Sequence, residues 1–169
     1  MRIVLACLFI LAAYKWSDWR DWRKYYPTIL FMICCSLFET VITYNHKLWI
    51  LLHIPSSIPV FNNFFITFTI FPATMLLYLS HFPYKISHRI YYMLAWVLLY
   101  SLIEVGMGAR GLVTYNNGWS LAWSALFNCV MFPILWVHHF IHPLLAWMIS
   151  AVFFAIIWSH FGFSAVMLL

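Results

Sequence analysis

Long apolar runs, broken at short intervals by polar and aromatic clusters, set the pattern of this chain. A bilayer crossing needs roughly 20 apolar residues per helix, so the runs predict six spans, at 3–16, 27–45, 62–79, 90–107, 119–137 and 143–159. The run at 3–16 is short for a crossing at 1.5 Å per residue, which makes Lys15 and Trp16 its expected interfacial end. A five-span chain with this run lying along the interface is the alternative. Arg2 ahead of it imitates the start of a signal peptide, but no small-residue cleavage site follows.

Polar residues inside the runs fall at helical spacing. In the second span, which opens at the helix-starting Pro27, the residues Thr28, Met32, Cys35, Ser36, Glu39 and Thr43 recur at steps of three and four, so they share one face directed at other helices. The third carries Asn63, Thr67, Thr74 and Tyr78 on a stripe with a kink expected near Pro72. The fourth carries Tyr100, Ser101, Glu104 and Gly108, and the fifth Ser120, Ser124 and Asn128 ahead of Pro133. Between the second and third spans, 46–61 holds Lys47, Trp49, His53, Pro55 and Pro59 and predicts an interfacial or partly re-entrant loop.

Composition turns these runs into a class. With 66% hydrophobic and 8% charged residues and a mean hydropathy of +0.91, the chain lacks the polar surface of a soluble globule. The expected fold is an all-α polytopic membrane bundle forming a single domain over 1–169. The net charge of +5 reflects topology, not nucleic-acid binding. Lys15, Arg20, Arg23 and Lys24 sit in an aromatic collar at 15–26, and Lys85 and Arg89 in the loop 81–89, against Arg2, Lys47 and Arg110 on the other side. The positive-inside rule then makes the collar and the 81–89 loop cytoplasmic in a plasma membrane. Asp18 and Asp21 pair with the collar cations in this reading. Cys7, Cys34, Cys35 and Cys129 lie in apolar runs without a C-x-x-C spacing and read as buried free thiols.

Two acids carry the candidate chemistry. A carboxylate inside a span is costly enough to face a protein interior and to mark a functional site. Glu39 and Glu104 lie roughly 18–21 Å along their helices, at one depth, and a cavity shared by Glu39, Glu104 and Asn128 is expected, with Arg110 a partner if its loop folds inward. Such a cavity suits a proton, a cation or an amine, and the aromatic content of 21% suits a flat or cationic organic ligand. A faint repeat accompanies the acids. Phe71-Pro72 lies ten residues before His81, as Phe132-Pro133 lies before His142, and Thr-Tyr-Asn follows both glutamates. Parallel repeats of this kind occur in transporters that bind substrate between them. Against this stands a scaffold or accessory subunit, in which Thr67, Thr74, Ser120 and Ser124 only join helices and the partner is another membrane protein or a second copy.

His138, His139 and His142 are the only metal candidates, and as span-end residues they read as ordinary interfacial histidines. Every histidine lies near a span end, which does not suit a bis-imidazole haem, and no cofactor is expected. No Ser-His-Asp, H-E-x-x-H or phosphate-cradling glycine pattern appears, so catalysis is the least supported reading.

The run Asp21-Trp22-Arg23-Lys24-Tyr25-Tyr26-Pro27-Thr28-Ile29-Leu30-Phe31, with Phe71-Pro72-Ala73-Thr74, Asn116-Asn117-Gly118-Trp119 and the segment 143–147, resembles a family of small multi-pass integral membrane proteins of unassigned function from spore-forming Firmicutes. The resemblance covers most of the chain, roughly Trp16 to Trp147, and is most specific in the collar and the Pro27 run that follows it. It implies a bacterial plasma-membrane protein and carries over no catalytic or binding residues.

Overall fold

The computed structural model describes residues 2–51 and 59–162. Among them the chain is mostly helical. Helix α1 (Arg2–Trp16) leads through a 3-10 helix at Trp19–Lys24 into α2 (Tyr26–Ile42), followed by strand β1 (Trp49–Leu51) and α3 (Pro59–Ser80). Then come α4 (Ile86–Gly108), strand β2 (Val113–Tyr115), α5 (Leu121–Phe140) and α6 (Pro143–His160). Helices α3 to α6 are long and apolar enough to cross a bilayer. At 15 and 17 residues, α1 and α2 are shorter, about 22 and 26 Å against a hydrocarbon core of about 30 Å.

Local chemistry explains the boundaries. Pro27 and Pro143 sit in the first turns of α2 and α6, where a missing N–H costs nothing. Ser120 caps α5 by accepting from the backbone N–H of Trp123. Just before it, Asn117 and Gly118 adopt φ of 52° and 81°, the left-handed region that Gly and Asn tolerate best. Pro72 and Pro133 lie inside α3 and α5 without ending either helix.

An antiparallel ribbon replaces part of the expected loop. Trp49, Ile50 and Leu51 pair with Tyr115, Thr114 and Val113, aromatic and β-branched types that suit an extended pleated pair. Around it, the carbonyl of Leu48 accepts from Asn116 N at 2.8 Å and that of Lys47 from Asn117 Nδ2 at 2.9 Å. The segment 46–61 is therefore not one interfacial loop, for it contains a strand and the start of α3. His53 and Pro55 lie outside the described residues.

The chain thus runs helix, strand, helix twice, as α2-β1-α3 and α4-β2-α5. Helix α2 packs on α3 and α5, α4 on α5, while α1 flanks α3 and α6 flanks α5. The two Thr-Tyr-Asn triplets are not equivalent here. Thr43 is the C-cap of α2, whereas Thr114 and Tyr115 belong to β2. The Phe-Pro pairs do correspond, each inside the second helix of its unit.

Because helix ends alternate, the collar and the ribbon occupy opposite ends of the bundle. The collar end is closed by rings. Tyr78 and Phe132 are 0% exposed, and Tyr78 meets Tyr92, Trp96 and Phe132 at centroid distances of 5.6, 5.9 and 5.2 Å. Its hydroxyl donates to the Phe132 carbonyl at 2.9 Å. Lipid tails are as apolar as Leu, so van der Waals packing and interhelical hydrogen bonds, not water exclusion, hold such helices together. Ser36 to Thr67 at 2.8 Å and Thr74 to Tyr100 at 2.7 Å are two such bonds.

Candidate ligand-binding cavity

A cavity of about 200 Å³ lies toward the ribbon end. Leu5 and Phe9 of α1, Ile66, Ile70 and Phe71 of α3, and Tyr100, Ile103, Glu104 and Met107 of α4 form part of its wall. Ser124, Phe127, Asn128 and Met131 of α5 form another part, and Trp49, Leu51, Val113 and Trp119 close it from the ribbon side. An apolar cavity of about 150 Å³ is large enough for benzene, so this one accommodates a single ring with a short substituent.

Its polar groups are few. Glu104 is the one carboxylate among them, and Tyr115 of β2, not itself in the lining, donates its hydroxyl to Glu104 Oε1 at 2.8 Å. Burial, followed by the bond to Glu104 and its charge, pushes the Tyr115 hydroxyl well above the usual phenol range, so it remains a donor. Trp119 Nε1 donates to Ser124 Oγ at 2.9 Å. Asn128 is 7% exposed and borders the cavity, and its amide makes no hydrogen bond among the described residues, so it is open to whatever fills that space.

Sequence reasoning placed Glu39, Glu104, Asn128 and Arg110 together, and the structure divides them. Glu104 and Asn128 line the cavity, and Glu39 does not. Glu39 accepts from Thr43 Oγ1 at 3.1 Å and borders a separate hollow of about 20 Å³ with Lys47 and Asn63. Trp49 and Leu51 line both spaces, which puts β1 between the two acids. Arg110 stays out of the cavity, donating from Nη1 to the Gly106 carbonyl at 3.0 Å. As the next turn beyond Glu104 it satisfies the end of its own helix, and the acid pairs with Tyr115 instead.

Tyr115 and Trp49 went unrecognised as site residues in the sequence. The β-branched and aromatic residues of Val113-Thr114-Tyr115 are the only hint of a strand there, and three residues are too few for an alternation to stand out.

The histidines do other work. Thr28 Oγ1 lies 2.9 Å from His138 Nδ1 and 3.3 Å from His139 Nδ1, and His138 stacks on Phe31 at 4.3 Å. His142 is the extended N-cap of α6, so it does not share a helical face with His138. Among the described residues no three His, Cys, Asp or Glu side chains are placed to hold a metal. In the collar, Lys24 pairs with Asp21, whose hydrogen bond raises the lysine's pKa. Asp18 accepts from Tyr25 at 3.3 Å instead of pairing with a cation. Burial, then Asp18, raises the pKa of that phenol.

No family model matches the sequence, and neither does any curated protein or solved structure.

Proposed function

We propose that this chain is a six-span bacterial plasma-membrane protein, collar inside, that binds a small organic molecule in the ribbon-end cavity for transport or presentation. In this reading α1 and α2 complete the crossing with help from the interfacial collar, whose Trp, Arg and Lys side chains suit the headgroup layer. One observation carries the reading above the others. The Asn128 amide, 7% exposed, meets the cavity without a partner among the described residues. An amide open to the cavity beside a carboxylate and aromatic walls gives it the few convergent polar groups on an apolar lining that suit a small ligand.

Native mass spectrometry of the gently solubilised protein tests this. The expected result is a reproducible small-molecule adduct that is lost when Asn128→Leu and Glu104→Gln are combined. A bare protein, or an adduct indifferent to both changes, overturns it. The scaffold reading draws support from α4, where Val97 is the one buried residue across 23 positions, leaving a long face for a second membrane protein. A larger stable complex without any adduct favours that reading.

A further inference from the structure

The charge pattern and shape of the cavity narrow the class of occupant. Among the described residues, its lining contains one carboxylate, that of Glu104, and no Lys, Arg or His. Arg110, on the same helix, is turned away to the Gly106 carbonyl. An anion entering this space meets a like charge in a medium of low dielectric, whereas a monocation supplies the missing countercharge. Tyr115 occupies Oε1 of Glu104 at 2.8 Å. A carboxylate has two oxygens and about four lone-pair sites, so capacity remains for N–H donors.

The walls add the second half of the description. Phe9, Tyr100 and Trp119 contribute rings to the lining, and ring faces attract ammonium groups. The volume of about 200 Å³ accepts one aromatic ring and a short chain. Asn128 offers both an amide donor and a carbonyl acceptor. A quaternary ammonium would leave Glu104 and Asn128 without a donor. A primary ammonium serves both.

We propose that the cavity takes a protonated arylalkylamine, a single aromatic ring on a short chain whose ammonium group is held by Glu104 and the Asn128 carbonyl oxygen. This rests on the cavity reading above, and the test separates the two. The purified full chain in detergent is titrated calorimetrically with 2-phenylethylamine, 2-phenylethanol and phenylacetate, which share a ring and differ in charge. The amine is expected to bind about tenfold more tightly than the alcohol, as one charge-assisted bond implies, and the acid more weakly than both. Glu104→Gln is expected to bring amine and alcohol to equal affinity. If that variant fails to fold, Glu104→Asp keeps the charge but withdraws it by one methylene, and should weaken the amine several-fold while sparing the alcohol. Alcohol or acid binding as tightly as the amine to the natural chain, or a Glu104 variant that weakens amine and alcohol alike, overturns the amine class and leaves the cavity reading standing. Failure of all three probes to bind overturns the amine class, and the cavity reading falls with it if native mass spectrometry also finds no adduct.

Discussion

The collar end and the ribbon end of this bundle are built from the same kinds of residue to opposite effect. At the collar end, Tyr78, Phe132 and Trp96 interlock, the Tyr78 hydroxyl reaches a carbonyl, and Thr28 bonds two imidazoles. About one turn before Phe132 on α5, Asn128 faces a cavity and makes no hydrogen bond among the described residues. Close packing fills the space around Tyr78 and Phe132, both 0% exposed. The second region leaves a cavity of about 200 Å³ bordered by a carboxylate and an amide.

The largest effect expected from breaking this contrast belongs to Phe132→Ala. In a bilayer the unfolded helices remain among lipid tails, so the transfer part of the usual cost largely disappears and the cavity part remains. We expect a loss of about 2–3 kcal/mol in equilibrium unfolding by SDS in mixed micelles; a loss below about 1 kcal/mol would mean that the collar end is no better packed than the ribbon end. Asn128→Leu should go the other way. Removing an unsatisfied amide from an apolar wall is expected to stabilise the chain by about 1 kcal/mol in the same assay, and destabilisation would show that the amide has a partner. The smallest effect is Tyr115→Phe, expected to cost about 1 kcal/mol or less at neutral pH, as interhelical polar bonds in membranes do. Because the folded-state pKa of Tyr115 is raised, this contribution is full below the free-phenol value of about 10 and fades as pH rises through the folded value. Unfolding of both proteins from pH 7 to 11 checks the sign, since a gap that closes below pH 9 contradicts the assigned environment.

The helices were legible because apolar runs of bilayer length admit little else. The polar stripes were legible too, and Thr28, Thr67 and Thr74 are buried at 1%, 1% and 0% exposure. The ribbon was not. Trp49-Ile50-Leu51 and Val113-Thr114-Tyr115 are three-residue strands distant in sequence, too short for a periodicity to register, and each needs the other to form a ladder. That omission propagated into the site. Without a strand between the two acids, equal depth along two helices looked like a shared space, and the loop bearing Tyr115 offered no reason to choose it over Arg110 as the partner of Glu104. Helical spacing fixes depth and face, but not which faces meet.

The ribbon also has a consequence for the order of assembly. Its strands lie beyond the ends of α2 and α4, so no pairing is available until α4 has been inserted, and closing so long a loop is entropically unfavourable before then. The pairing is only three residues long. A slip of one residue would turn Tyr115 to the opposite face and present Thr114 in its place. Assembly in this order builds the bundle first and the ribbon last, and the Trp49 to Tyr115 pairing is the step that brings the Tyr115 hydroxyl to Glu104.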